Sequence, residues 1–288
     1  MTGQNFNLIL IAGAMRSGTS LLQHVFCTSP DANPFVHGCR YLTSQIAIFA
    51  QYAGTDQLYV KDYLGGPEGL FDFSKAIVDR LLAETHERRG RPQHLVLKSP
   101  ELSHYLPQAA ALLPRARFVI SIRDPKDTIA SMIGVGEKHR QKGVSSFLAG
   151  AGRDIGRLCA SYRQFYTPVL LALEKDRGGL GERVCFTTYE SLIADTDRTV
   201  ERLAQFCGIP LSPGSIGGTG SWRSKVDLEK DELLGHPRWS AYVTDLSGGP
   251  ISEASVGRYR EILSAAEAEQ IDRLCSDLRR AFGYQAAN

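Results

Sequence analysis

The chain has 288 residues, 43% of them hydrophobic and 22% charged, with a formal net charge of +2. That length buries a sizeable core and that composition is of the globular kind, which excludes a disordered, fibrous or disulfide-scaffold protein. So small a net charge excludes nucleic acid as a partner, and any basic site must be local.

The predicted elements begin with Phe6-Asn7-Leu8-Ile9-Leu10-Ile11-Ala12, a short apolar run suited to a strand buried on both faces. Leu21-Leu22-Gln23-His24-Val25-Phe26 has helical spacing, and between the two lies Gly13-Ala14-Met15-Arg16-Ser17-Gly18-Thr19-Ser20. A glycine-rich turn between a buried strand and a helix aims several backbone N–H groups, and the positive end of the helix, at one place that attracts phosphate. The spacing nearly fits G-x-x-x-x-G-K-[ST], with Gly13, Gly18 and Ser20 in register and Thr19 where the lysine belongs. Arg16 supplies positive charge from inside the loop instead. A kinase uses that lysine on the β- and γ-phosphates, so its loss argues for a smaller anion than a triphosphate.

Further on, a turn is expected at residues 29–34, a short strand at 35–37, a helix at 41–52, a loop at 65–69 and an amphipathic helix at 73–88 stopped by Gly90-Arg91-Pro92. Residues 94–98 form the next buried strand, followed by a helix over 100–113 interrupted at Pro107. Residues 117–122 are a third strand. Pro125 then opens a helix to about residue 133, and 134–145 reads as a polar loop. Ile155, Leu158, Tyr162, Phe165 and Val169 mark one face of a long helix. A strand at 183–187 precedes a helix carrying Val200, Leu203, Ala204 and Cys207. Residues 212–250, rich in Gly, Ser and charge and containing Trp222 and Trp239, are too long for a connector and read as a covering loop. Ser264-Ala265-Ala266-Glu267 has the form of a capping box, and Ile271, Leu274, Cys275 and Leu278 line the closing helix. Strands alternating with helices imply an α/β fold, a single domain over residues 1–288 with a mostly parallel sheet covered on both faces and ligands at the carboxyl ends of its strands. Cys27, Cys39, Cys159, Cys185, Cys207 and Cys275 show neither C-x-x-C pairing nor zinc spacing and read as thiols in a reducing compartment. With no signal peptide and no membrane-spanning run, a cytoplasmic location is expected.

Arg16-Ser17-Gly18-Thr19-Ser20-Leu21 resembles the 5′-phosphosulfate loop of the sulfotransferases, especially the branch that holds the tyrosylprotein sulfotransferases and many bacterial enzymes, whose pattern is P-R-S-G-T-T-L. Met15 replaces the proline and Ser20 the second threonine. The resemblance implies a P-loop-kinase-like three-layer α/β/α fold and a donor, 3′-phosphoadenosine 5′-phosphosulfate (PAPS), held at its 5′ end by Arg16, Ser17, Gly18, Thr19 and Ser20. Arg123 and Ser131 match the strand-R-x7-S element that binds the donor's 3′-phosphate in that family. A guanidinium at a strand end and a hydroxyl on the next helix can converge on one phosphate; alternatively, Arg123 pairs with Asp124 or Asp127 and Ser131 only packs. Lys98, in Leu97-Lys98-Ser99-Pro100, resembles the family's K-[ST/D]-P element near the transferring sulfonate. A lysine ending a buried strand takes a partner such as an anion or escapes to solvent. Tyr189, in Thr188-Tyr189-Glu190-Ser191-Leu192, resembles the Y-E-x-L tyrosine near the adenine, where it either stacks or packs. Around Trp222, Arg223 and Lys225 fall where the family closes a loop over the nucleotide.

The tyrosylprotein branch places a glutamate base some twenty residues past the loop arginine. Here that spacing reaches His37, with no carboxylate between Asp31 and Asp56. Imidazole suits proton abstraction near neutral pH, and His24, His104 and Glu101 compete for the role. The expectation is transfer of a sulfonate from PAPS to a hydroxyl of a small-molecule, sugar or lipid acceptor, without metal. His37 serves as base while Arg16 and Lys98 take the charge of the leaving phosphate. A nucleotide kinase using Asp124 as a metal carboxylate and a non-catalytic nucleotide-binding module are the rivals.

Overall fold

The computed structural model describes residues 5–54, 57–212, 236, 240, 242 and 253–284. Four short apolar runs become strands β1 (Asn7–Gly13), β2 (His94–Lys98), β3 (Arg117–Ile122) and β4 (Val184–Thr188), ordered β2-β1-β3-β4 with every pairing parallel. Parallel neighbours require crossovers. Helices α1 (Thr19–Phe26), α2 (Arg40–Gly54), α3 (Gln57–Leu64) and α4 (Pro67–Arg88) join β1 to β2. A 3₁₀ turn (Pro100–Tyr105) and α5 (Leu106–Leu112) lead to β3; α6 (Pro125–Gln141), α7 (Phe147–Ala151) and α8 (Ile155–Glu174) lead to β4. Helices α9 (Tyr189–Ala194) and α10 (Thr196–Cys207), a 3₁₀ turn (Glu253–Ser255), a single helical turn (Tyr259–Ile262), α11 (Ala265–Leu274) and α12 (Ser276–Ala281) complete the described chain.

Successive side chains of β1 point to opposite faces, and the core divides accordingly. Leu8, Leu10 and Ala12 pack with Tyr162, Tyr166 and Ile129, whereas Ile9 and Ile11 pack with Leu22, Phe26, Val200 and Leu203. The result is the expected three-layer α/β/α arrangement. No helix among the described residues is long and apolar enough to cross a membrane.

Several local expectations fail for tertiary reasons. Residues 35–37 are not a strand: the edge of β2 is met by a side chain, Val96 N donating to Asn33 Oδ1 (2.6 Å) and Asn33 Nδ2 to Val96 O (3.2 Å). The backbone rejoins that edge at Cys39, whose N–H donates to Lys98 O at 2.8 Å. Helix α4 starts at Pro67 rather than at 73, because a proline in its first turn and Glu68 near its positive end favour an earlier start. Helix α3 was not expected at all. The expected polar loop at 134–145 is helix α6 as far as Gln141. Its glycines lower helix propensity, yet Gly136 permits close approach to α7, since a Cβ there would lie 2.5 Å from Leu148 O. The closing helix divides at Cys275, after the expected capping box between Ser264 and Glu267. Most of 212–250, with Trp222, Arg223, Lys225 and Trp239, lies outside the described residues.

Candidate active site

The carboxyl ends of the strands hold Arg16, Ser20, Lys98, Arg123, Ser131 and Tyr189 near one another, whereas Arg223 and Lys225 lie outside the described residues. Gly13 ends β1 with φ 129°, and a Cβ there would sit 2.2 Å from Ser121 O on the neighbouring strand. Backbone cannot yield as a side-chain tip can, so Gly13→Ala is expected to destabilise the fold by about 2 kcal/mol or more. An unchanged urea midpoint would remove this constraint. Gly18 caps α1 in the left-handed region, and its missing side chain leaves room for the Tyr189 ring, whose Cδ2 would lie 2.5 Å from a Cβ.

Arg16 also adopts a positive φ, 71°, an uncommon conformation for a residue with a side chain. Its Nε donates to Ser131 Oγ (3.0 Å) and a terminal nitrogen to Tyr242 O (2.9 Å). Arg123, just past β3, donates to Arg16 O (3.2 Å) and to Ser255 O. Its guanidinium lies 4.7 Å over the Tyr189 ring, and its buried Nε has no acceptor among the described residues. Tyr189 in turn shares a 2.5 Å hydrogen bond with Ser255 Oγ. Arg16, Ser131, Arg123 and Tyr189 thus form one contiguous group. Among the described residues neither arginine makes an ion pair. Burial, and secondarily the neighbouring Arg123, push Arg16 down to about 10.

The carboxylates around Arg123 are engaged elsewhere: Glu190, which feels the Arg123 charge, accepts from Asp124 N (2.9 Å) and Tyr284 OH (2.6 Å). Asp124 caps α6, accepting from Lys126 N (2.7 Å), and lies 3.6 Å from Arg279. Asp127 accepts from Gly257 N (2.7 Å) and Tyr259 N (2.9 Å). The same commitment tells against Asp124 as a kinase's metal carboxylate.

Within the loop the residues divide by task. Ser17 is buried, its Oγ donating to Ala14 O (2.7 Å) and its carbonyl accepting from Ser121 Oγ (2.7 Å), so its side chain shapes the turn. Thr19 is buried at the start of α1, whereas Ser20 is exposed and accepts from Lys98 Nζ at 3.2 Å. Lys98 is therefore turned toward the loop and does not escape to solvent. Desolvation lowers its pKa, Cys39 and Glu101 oppose that, and Arg16 adds to it.

His37 is exposed on the segment that follows the edge of β2, two residues before the Cys39–Lys98 contact, with its ring edge-on to Phe35 at 6.0 Å. His24 stacks on Phe35 at 4.1 Å; burial and then Lys98 push it to about 4, a poor proton acceptor. His104 packs on Phe165 at 4.4 Å, and burial lowers its pKa against the pull of Glu101. Glu101 accepts from Ser99 Oγ at 3.2 Å.

Sequence reasoning missed the supports. Tyr162 reads as a core-facing helix residue and Tyr166 was not singled out, but Tyr162 OH donates to Arg123 O (3.0 Å), and Tyr166 OH donates to Ser121 O (2.9 Å) while accepting from Ala14 N (3.2 Å). Ser255 was missed too; its only local signal is the Ser-Val-Gly turn that delivers Gly257 N to Asp127.

The sulfotransferase family model matches residues 9–213 of the chain. Over 256 residues the chain is 24% identical to protein-tyrosine sulfotransferase 1 of Danio rerio, a match covering 81% of this chain and 66% of the relative. It therefore spans just under two thirds of that relative's length. A putative protein-tyrosine sulfotransferase of Caenorhabditis briggsae is 24% identical over 227 residues, 78% of this chain and 74% of the relative. Among solved structures, the sulfotransferase domain from the curacin biosynthetic pathway superposes with a TM-score of 0.56 at 16% identity, covering 98% of this chain and 99% of that one. A mouse sulfotransferase complexed with PAP superposes with a TM-score of 0.52 at 14% identity, covering 95% of this chain and 85% of that one. At such identities the structures speak for the fold. The family match spans more than half of the chain and contains Arg16, Lys98, Arg123 and Tyr189, and on that ground the chain belongs to the sulfotransferase family of enzymes.

Proposed function

We propose that the chain transfers a sulfonate from PAPS to a hydroxyl of a small-molecule, sugar or lipid acceptor. One observation carries the donor assignment: Arg16 and Arg123 meet beside the loop bonded to carbonyl and hydroxyl oxygens, with the Arg123 Nε unanswered among the described residues. Two adjacent guanidiniums with no ion pair among the described residues suit an anion with more than one phosphate. The mouse relative solved with PAP supports the same choice.

The donor supplies an activated sulfonate, whose sulfur–oxygen bond to the 5′-phosphate breaks as the bond to the acceptor oxygen forms. His37 takes the acceptor's proton on its imidazole. Lys98 Nζ, beside Ser20 Oγ, and Arg16 face the charge that develops on the departing 5′-phosphate. Arg123 with Ser131 binds the 3′-phosphate, Tyr189 lies beside the adenine, and Gly18 and the N–H groups at the start of α1 cradle the 5′ end. Arg223 and Lys225, further donors to the nucleotide in this reading, lie outside the described residues. A cytoplasmic setting belongs to this reading; the buried thiols Cys159, Cys185, Cys207 and Cys275 support it. The names of the curated relatives favour a second acceptor, a peptidyl tyrosine.

If Arg123 reads the 3′-phosphate, PAP binds about 10- to 100-fold more tightly than AMP, because charge-assisted hydrogen bonds are lost with that group. Calorimetry returning equal affinities would overturn the donor assignment, and Arg123→Ala should narrow the gap. Turnover is also expected to survive excess EDTA, since Arg16 and Lys98 supply positive charge where kinases use Mg²⁺. Loss with EDTA and recovery with Mg²⁺ would favour the kinase reading.

A further inference from the structure

Helix α2 presents an apolar inner face and an outer face that mixes hydrophobic and uncharged polar residues. Leu42, Ile46 and Phe49 form the inner one, at 2%, 0% and 7% exposure. On the other, Tyr41, Ser44, Ile48 and Gln51 recur at helical spacing, with Tyr41 63% and Ile48 49% exposed. After Arg40 the helix carries no charged residue through Gly54, although 22% of the chain is charged. An outward helix face normally carries the polar and charged residues. This face borders a shallow, open groove of about 510 Å³ lined by Ser44, Ala47, Ile48, Ala50, Gln51 and Tyr105.

Both walls of the groove start at Lys98. One is α2, whose lead-in residue Cys39 donates to Lys98 O. The other is the 3₁₀ turn that follows β2 and ends at Tyr105. At the rise of an α-helix, Ser44 to Gln51 lie about 6 to 17 Å along α2 from its start. His37 lies three residues before that start.

We propose that this groove is the acceptor subsite and that it takes an uncharged amphiphile, a hydroxylated head presented at His37 and Lys98 with an alkyl or alicyclic tail lying along α2. The inference rests on the sulfonate-transfer reading for what happens to the head. The six residues lining the groove carry no charge, and Arg40 stands one turn before Ser44, so an apolar tail covers Ile48 and the alanines while Ser44, Gln51 and the Tyr105 hydroxyl remain at its margin.

The test uses the full chain saturated with PAP and titrated calorimetrically with methyl, hexyl and octyl β-D-glucoside below their micelle concentrations. Octyl glucoside should bind about 4- to 16-fold more tightly than hexyl glucoside, from two- to fourfold per buried methylene. Ser44→Trp, which fills the groove from an exposed position, should weaken octyl glucoside at least tenfold while PAP affinity stays unchanged. Ile48→Asp, also exposed, should do the same by charge and guards against a folding defect in the first variant. Equal hexyl and octyl affinities, or variants that bind octyl glucoside like the parent, overturn the proposal. So does a dimer that Ser44→Trp dissociates, which would give the face to a second copy, or a tyrosine peptide that binds tightly and ignores both variants. If the chain fails to bind PAP, the donor reading falls by itself, and a chain-length effect sensitive to Ser44→Trp still sustains the groove.

Discussion

His37→Ala is expected to lower turnover by about 10²- to 10⁴-fold, the usual cost of losing a general base, while PAP affinity remains nearly that of the parent. His37 stands exposed beside the edge of β2, and the hydrogen bonds of Arg16 and Arg123 run to other residues. Its competitors are less suited. His24, pushed to about 4 by burial and Lys98, has little affinity for a proton. His104 is packed against Phe165, and burial depresses it as well. Stopped assays of turnover, with PAP binding measured in parallel, check both points. Parent-like turnover in His37→Ala would move the base to Glu101.

The strand–loop–helix at residues 7–26 was legible in the sequence because its signals are local: a saturated apolar run, two glycines at fixed spacing, then helical periodicity. The same holds for Arg123, which Asp124 and Pro125 place at the boundary between a strand and a capped helix. Lys98 was legible as a strand end, but its partner Ser20 is 78 residues away in sequence and only the parallel β1–β2 register joins them. What stayed hidden depends on such distant pairings. Helix α6 outruns its glycines because α7 presses against Gly136. Tyr162 and Tyr166 follow the apolar period of α8, and nothing local tells that their hydroxyls hold Arg123 and the loop. Asn33 replaces a backbone pairing with a side-chain one, which the apolar run at 35–37 disguises as a strand. The outer stripe of α2 was visible as letters, yet only the placement of Tyr105 makes it one side of a groove.

Lys98→Ala is expected to lower kcat by about 10²- to 10³-fold, comparable to removing one preorganised donor from an oxyanion site, with PAP affinity falling only severalfold. The asymmetry follows from where the charge forms. In the ground state the bridging oxygen between phosphate and sulfonate carries little of it; as that bond breaks, charge builds there, so a cation aimed at that oxygen acts mainly in the transition state. The Ser20 hydroxyl, 3.2 Å from Nζ, fixes the ammonium at the mouth of the loop, so Ser20→Ala should show a smaller loss of the same kind. Desolvation depresses the Lys98 pKa, and a lysine lowered in this way loses its proton at a lower pH than a solvated one. The alkaline fall of kcat should therefore begin below the ordinary lysine range and disappear from the residual activity of Lys98→Ala. Single-turnover rates and PAP titrations of the two variants separate binding from chemistry. Equal proportional losses of PAP affinity and of the affinity-corrected rate would assign Lys98 to holding the nucleotide in the ground state, and Arg16 would then be the cation that meets the leaving phosphate.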